Sequence, residues 1–169
     1  VFYVSMGLGF LAKGPIAWFV PILTLLLWRY GFQRGRPLPW KRLGLWPGAL
    51  IALLITAAWG VPALMATHGD YWRSGIGEHV VKRGTDIFNG RIFIPGLYFA
   101  TAFLSLFPWI GFIIPLWRNL RAHWSPQNAF LVSWLVAPQV IFFFYATQLP
   151  HYPMPGFPEF SLLVVVFLT

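Results

Sequence analysis

The sequence of 169 residues is 58% hydrophobic and 9% charged, whereas a soluble domain carries about 25% charged residues. This composition excludes a disordered chain and indicates an integral membrane protein, and the absence of cysteine excludes disulfides, thiolate catalysis and cysteine-ligated zinc. The net charge of +8 does not indicate a nucleic acid partner, because the cations lie in short loops between apolar segments, as membrane topology requires.

A series of apolar segments predicts the helices. A transmembrane helix needs about 20 apolar residues, and several segments reach this length while others are shorter. In chain order, helices are predicted at about 1–12, 15–28, 44–64, 94–117, 129–147 and 159–169, with an external loop at 65–93. We therefore predict an all-α integral membrane protein, a polytopic bundle of transmembrane helices in which residues 1–169 form a single transmembrane unit.

The basic residues set the predicted orientation in the membrane. Segment 29–42 carries arginine and lysine but no acid, and loops enriched in these cations stay in the cytoplasm. Segments 65–93 and 149–158 then lie outside, 118–127 lies inside, and Lys13 lies at the outer face. Because the first residue is valine and an apolar segment is already in progress there, we expect the sequence to be part of a longer protein.

Lys13 is the first residue that indicates a function. It lies between two apolar segments and is followed by Gly14 and Pro15. A lysine in such a place costs a few kcal/mol unless its ammonium reaches the interface or meets an anion. The Gly-Pro pair breaks the helix and frees backbone groups to line a polar cavity. The alternative is a turn lysine that only extends to the membrane surface.

The external loop carries a second group of charged residues. At helical spacing Glu78 meets Lys82, and His79 meets Lys82 and Arg83, because residues three and four apart are neighbours on a helix. Glu78 and His79 are adjacent and diverge on a helix, so a metal ion there would need a ligand from elsewhere. Arg91 adds a further cation. The alternative is an amphipathic helix on the membrane surface.

The third group is the proline-rich segment 148–158. Its four prolines prevent a regular helix and predict a folded connection at the outer membrane edge. Such a turn would hold His151 and Tyr152 in fixed positions, as a binding site requires. The alternative is a plain turn between two helices.

These segments resemble the motifs of one family of bacterial polytopic glycosyltransferases. Residues 9–15 (GFLAKGP) resemble its G-x-L-x-K-G-P segment, and residues 149–158 (LPHYPMPGFP) closely resemble its LPHYxLPxFP motif. Residues 78–83 (EHVVKR) resemble its periplasmic EHxxR stretch, and residues 95–98 its P-x-x-Y sequence. The family comprises the aminoarabinose transferases and the dolichyl-phosphate-mannose-protein mannosyltransferases, which have the GT-C fold. The resemblance covers nearly the whole sequence in the same order.

The resemblance implies an enzyme of the bacterial inner membrane. It would move a sugar, with inversion at C1, from a polyprenyl phosphate to a lipid A, glycan or protein acceptor at the periplasmic face. The family's catalytic acid would lie upstream of Val1. The family also implies a divalent metal site, with His79 as a possible ligand and Glu78 as a weaker one.

The departing phosphate requires positive charge, because cations at a membrane edge stabilise an anion as it develops. The predicted donor-phosphate and lipid-binding residues are Lys13, Lys82, Arg83, Arg91, His151 and Tyr152.

Two functions other than an enzyme are alternatives for this sequence. A transporter or flippase subunit would need charged or broken positions deep within its spans, whereas the charges here lie at the edges. A non-catalytic membrane scaffold would not need the Pro-His-Tyr turn. Membrane lipids are expected partners under each hypothesis.

Overall fold

A computed structural model of the protein describes residues 1–33, 40–82, 85, 86, 94 and 96–168, with the side chains of Trp40, His79 and Val80 excepted. Within these ranges the chain is helical and contains no strand, which confirms the all-α class.

The helices are given in chain order, with the short π- or 3-10-helical stretches that adjoin them. They are α1 (Phe2–Lys13), α2 (Ile16–Leu26, then Leu27–Phe32), α3 (Trp40–Leu43), α4 (Leu45–Ala66), α5 (Asp70–Trp72, then Arg73–Lys82), α6 (Leu97–Ser105), α7 (Trp109–Phe112, then Ile113–Ala122), α8 (Pro126–Phe143) and α9 (Met154–Gly156, then Phe157–Leu168).

The helix α3–α4 is the clearest candidate for a membrane span. In the described part of the chain, Lys41–Ala66 is the one continuous helix that is long and apolar enough to cross a bilayer. The α6 and α7 pair passes the same test when its two halves are counted together. Ile16–Phe32 and Met154–Leu168 are apolar but shorter. The full polytopic bundle therefore stays a prediction.

The prediction of a single helix at 94–117 is wrong. Helix α6 ends at Ser105, α7 continues to Ala122, and the two halves meet at a bend of 104°. Pro108 lies in the break, and its nitrogen has no hydrogen to donate to the preceding helical turn. A run of apolar residues does not reveal such a bend.

Other boundaries also differ from the prediction: α9 begins at Met154 rather than 159, and the helical structure of α2 continues to Phe32 rather than 28. Helix α8 begins at Pro126 rather than 129, because the Ser125 hydroxyl accepts a hydrogen bond from the Asn128 amide at 3.1 Å and caps the helix. It ends at Phe143, before the predicted limit of 147. The predicted external loop at 65–93 contains α5 and the π-helical stretch Arg73–Lys82.

Glycine allows α1 and α4 to pack closely. A Cβ atom at Gly48 would overlap the Tyr3 ring, and one at Gly7 would lie 2.9 Å from the Ile55 Cβ. The Tyr3 hydroxyl donates a hydrogen bond to the carbonyl of Leu43, just before α4 begins. The two helices therefore form a pair whose spacing depends on these glycines.

The remaining core lies around α7, α8 and α9. Leu120, Val132 and Leu163 are buried in one apolar cluster. Two tryptophan indoles join α2 to this unit: Trp28 donates to the Pro126 carbonyl at 3.0 Å, and Trp124 donates to the Phe32 carbonyl at 3.3 Å.

Candidate functional site

A cavity of about 980 Å³ lies between the α1–α4 pair and the end of α8 with its proline-rich turn. Its walls come from the end of α1, one face of α4, the α5 region, the end of α8 and the proline-rich turn. Lys13, His151 and Tyr152 all line it. The structure thus brings together residues from separate segments that the sequence places at the same membrane face.

Lys13 is the last residue of α1. Gly14 follows with φ of 69°, a conformation that favours glycine, and its amide donates to the Phe10 carbonyl at 2.7 Å. The Trp18 indole of α2 donates to the Met6 carbonyl at 3.0 Å and fixes the turn. The lysine ammonium is favoured at this end of the helix, where backbone carbonyls concentrate negative charge.

The proline-rich turn is held against α8. Backbone hydrogen bonds run from the Tyr152 amide to the Leu149 carbonyl at 3.1 Å and from the Met154 amide to the His151 carbonyl at 3.2 Å. A Cβ at Gly156 would lie 2.7 Å from the Leu135 carbonyl oxygen, so glycine permits this contact. The turn is therefore a packed element, and it carries the imidazole of His151 and the phenol of Tyr152 at the cavity.

The Tyr152 ring is fixed by aromatic neighbours. It stacks on Phe142 with ring centroids 4.3 Å apart, and its centroid lies 6.2 Å from that of Tyr145. The exposed His151 ring meets Tyr152 edge-on at 5.2 Å. Both residues line the cavity, where an imidazole and a phenol can donate hydrogen bonds to an anion.

Helix α4 supplies an apolar wall. The lining residues of this helix recur at spacings of three and four, which places them on one face. They are Leu53, Thr56, Ala57, Gly60, Val61 and Leu64. The cavity therefore joins an apolar wall to a group of polar side chains, as a lipid with a charged head requires.

The predicted cations of the external loop are placed differently. Lys82 forms an ion pair with Glu78 at 3.5 Å, as the helical spacing predicts, and both side chains are about half exposed. Neither residue lines the cavity. Arg83 and Arg91 lie outside the described residues. The role of these cations in binding the donor phosphate stays a prediction.

The metal site also stays a prediction. Among the described residues no group of three His, Asp or Glu side chains lies close enough to hold a metal ion. Glu78 pairs with Lys82, and the His79 side chain is not described. The described residues therefore do not form a metal site by themselves.

Sequence reasoning missed two tyrosines in the cavity wall. Tyr71 packs edge-on against Trp59 with centroids 5.1 Å apart, and Tyr145 packs against Phe142 at 5.4 Å. Both line the cavity. Tyrosine at a membrane interface is common as an anchor, so neither had a signal of its own.

The chain is similar to transferases of several bacteria. It is 33% identical over 168 residues to the undecaprenyl phosphate-alpha-4-amino-4-deoxy-L-arabinose arabinosyl transferase of Pseudomonas paraeruginosa, a match that covers 95% of this chain and 29% of the relative. The second such transferase of Pseudomonas fluorescens is 31% identical over 170 residues, and that of Edwardsiella ictaluri is 29% identical over 174. These matches cover 95% and 98% of this chain and 29% and 30% of the relatives.

No family model matches the chain, and no solved structure does. The chain spans about 30% of the length of the curated relatives it matches. Because the similarity extends over nearly all of its own residues, the chain is homologous to one part of the undecaprenyl phosphate-aminoarabinose arabinosyl transferases.

Proposed function

We propose that the protein containing this chain transfers a sugar from a polyprenyl phosphate to lipid A. The observation that carries the proposal is the cavity that Lys13, His151 and Tyr152 share with the apolar face of α4. The names of the relatives support an undecaprenyl phosphate carrier and a 4-amino-4-deoxy-L-arabinose donor sugar. No described residue favours a transporter or a scaffold over this function.

In the proposed reaction the acceptor hydroxyl attacks C1 of the sugar while the bond from C1 to the phosphate oxygen breaks. The configuration at C1 inverts, and the phosphate departs on its prenyl chain as an anion. Lys13, with His151 and Tyr152, stabilises the charge that develops on the phosphate. The hydroxyl proton passes to a carboxylate that the resemblance places upstream of Val1.

The apolar face of α4 binds the first part of the prenyl chain in this proposal. The prenyl chain comes from among acyl chains that are as apolar as the wall, so the wall contributes close packing rather than removal of the chain from water. The polar residues bind the headgroup.

Mass spectrometry of lipid A tests the activity. Membranes that contain the full-length protein are incubated with lipid A and either undecaprenyl phosphate-aminoarabinose or an undecaprenyl phosphate-hexose. Addition of one aminoarabinose mass, dependent on the protein, is expected. Transfer of the hexose alone would show that the donor sugar is a hexose rather than aminoarabinose. Transfer of neither sugar would contradict the proposed function.

Substitution of Gly60 by leucine is expected to raise the KM for the donor at least about fivefold. Gly60 lines the cavity, and a Cβ there meets no atom within 4 Å, so a larger side chain fills the cavity without a clash. The helix itself gains stability, because leucine is favoured over glycine by roughly 0.5–1 kcal/mol in a helix interior. Steady-state kinetics with varied donor concentration measure the change.

Gly111 gives the matched control for this substitution. A Cβ at Gly111 also meets nothing within 4 Å, and the residue does not line the cavity. Gly111→Leu should keep the parental KM. Equal KM values for both variants would show that the α4 face does not bind the donor.

We further propose that the protein crosses the bacterial inner membrane several times, with the cavity at the periplasmic face. Cysteines are introduced one at a time, on a cysteine-free background, at the exposed positions Thr85 and Arg121. An impermeant thiol reagent on intact spheroplasts should label position 85 and leave position 121 unlabelled, because arginine-rich loops stay inside. The reverse pattern would show that the orientation is inverted.

A further inference from the structure

A buried tyrosine lies directly behind the proline-rich turn. Tyr98, in the first turn of α6, is 7% exposed and does not line the cavity. The start of α6 is fixed to Gln148, because the Ile94 amide donates to the Gln148 side-chain oxygen at 3.1 Å. The Leu97 amide in turn donates to the Ile94 carbonyl at 3.1 Å. Tyr98 is therefore held close to the first residues of the proline-rich turn.

The Tyr98 hydroxyl has polar neighbours but no hydrogen bond. It faces the Leu149 backbone and interacts electrostatically with the Tyr152 phenol, yet it forms no hydrogen bond with any described residue. Buried polar groups are almost always hydrogen-bonded, because an unmade bond away from water is costly. A phenylalanine would fill the same space without this cost. The hydroxyl is therefore a donor that lacks an acceptor in the described part of the chain.

Tyr152 offers an acceptor when it binds an anion. Its ring is fixed by stacking on Phe142, with centroids 4.3 Å apart, and the residue lines the cavity. A phenol can donate one hydrogen bond and accept others at the same time. When the Tyr152 hydrogen is donated to an anion, its oxygen becomes a stronger acceptor, because hydrogen bonds in a chain polarise one another. A second phenol that donates to Tyr152 would then strengthen the bond to the anion.

We propose that Tyr98 is a positioning residue that donates a hydrogen bond to the Tyr152 hydroxyl when Tyr152 donates to the phosphate of the lipid-linked sugar. Each hydrogen stays on its own oxygen, and the two phenols form a chain that ends at the anion. Tyr98 itself does not touch the lipid-linked sugar. The inference rests on the proposed function for the phosphate, and on the burial and the unmade hydrogen bond of Tyr98 for the second phenol.

Binding of undecaprenyl phosphate to the purified full-length protein tests this chain. Tyr98→Phe should raise the Kd at least about threefold, the effect of one lost neutral hydrogen bond. In a Tyr152→Phe background the same change should alter the Kd by less than about 1.5-fold, because the effects of two residues in one hydrogen-bond network are not additive. An equal increase in both backgrounds, or no increase in the parental one, would overturn the proposal.

Thermal stability without the lipid shows whether the hydroxyl is already bonded in the fold. Tyr98→Phe should keep or raise the Tm, because it removes a buried hydroxyl that has no partner. Tyr3 gives the matched control, since its hydroxyl donates to the Leu43 carbonyl and the residue does not line the cavity. Tyr3→Phe should lower the Tm and keep the parental Kd. A lower Tm for Tyr98→Phe as well would overturn the proposal.

The binding experiment also distinguishes failure of this inference from failure of the proposed function. If the parental protein neither binds undecaprenyl phosphate nor transfers a sugar, the proposed function fails and the role of Tyr98 fails with it. If the parental protein binds the lipid and Tyr98→Phe binds it equally well, the donor site stands and only the role of Tyr98 is overturned.

Discussion

The combined substitution His151→Ala and Tyr152→Phe is expected to lower sugar transfer by more than about a hundredfold, without loss of membrane insertion. A hydrogen bond to a charged group contributes about 1.5–3 kcal/mol, and each 1.4 kcal/mol corresponds to about tenfold in rate. Phenylalanine at 152 keeps the stacking on Phe142, whose centroid lies 4.3 Å away. The loss is therefore one of hydrogen bonds to the phosphate rather than of folding. Transfer to lipid A, measured by mass spectrometry, gives the rate.

A matched pair of residues at the other end of the fold controls for this change. His123 follows α7 and Tyr30 belongs to the stretch after α2; both are exposed and neither lines the cavity. His123→Ala with Tyr30→Phe should transfer at the parental rate. Parental transfer by the His151 and Tyr152 variant as well would reduce the proline-rich turn to a connection between helices.

Lys13→Ala is expected to lower kcat/KM for transfer by about tenfold or more. Lys13 is the lysine that the structure places in the cavity wall among the described residues. In the proposed reaction its charge stabilises the phosphate as the bond to C1 breaks, and a charge-assisted contact is about twice as strong as a neutral one. Lys13→Arg keeps the charge and should retain more activity than the alanine variant. The same lipid A assay, with the donor varied, measures both.

Lys41 gives the control for removal of a lysine. It lies in α3, it is exposed, and it does not line the cavity. Lys41→Ala should leave transfer unchanged. If Lys13→Ala were also unchanged, Lys13 would be a turn residue that reaches the membrane surface, and the phosphate would have to be bound elsewhere.

Much of the helical structure could be predicted from sequence because it depends on local properties. Long apolar segments predict α4 and α8, and the Gly-Pro break after Lys13 predicts the boundary between α1 and α2. The sharp bend at Pro108 could not be predicted in the same way. Proline is tolerated inside membrane helices, where neighbouring groups satisfy the freed carbonyls, so its presence alone does not distinguish a bend from a span.

The site was predicted in part for a similar reason. Lys13, His151 and Tyr152 were identified by motifs and by local chemistry, and the structure places all three in one cavity wall. No motif points to Gly60, because the residue matters for the empty space of the cavity next to it. That space is enclosed by several helices and the proline-rich turn, so it is a property of the assembled helices.

The apolar face of α4 also sets a depth. Its lining residues run from Leu53 to Leu64, which at about 1.5 Å per residue is about 17 Å of helix. The hydrocarbon core of a bilayer is about 30 Å thick. In the proposed function the wall therefore contacts a bound prenyl chain over roughly half the thickness of the hydrocarbon core. Any longer tail would continue among the surrounding acyl chains. The protein would then distinguish prenyl chains only up to the length that the wall contacts. Chains longer than this would bind equally well.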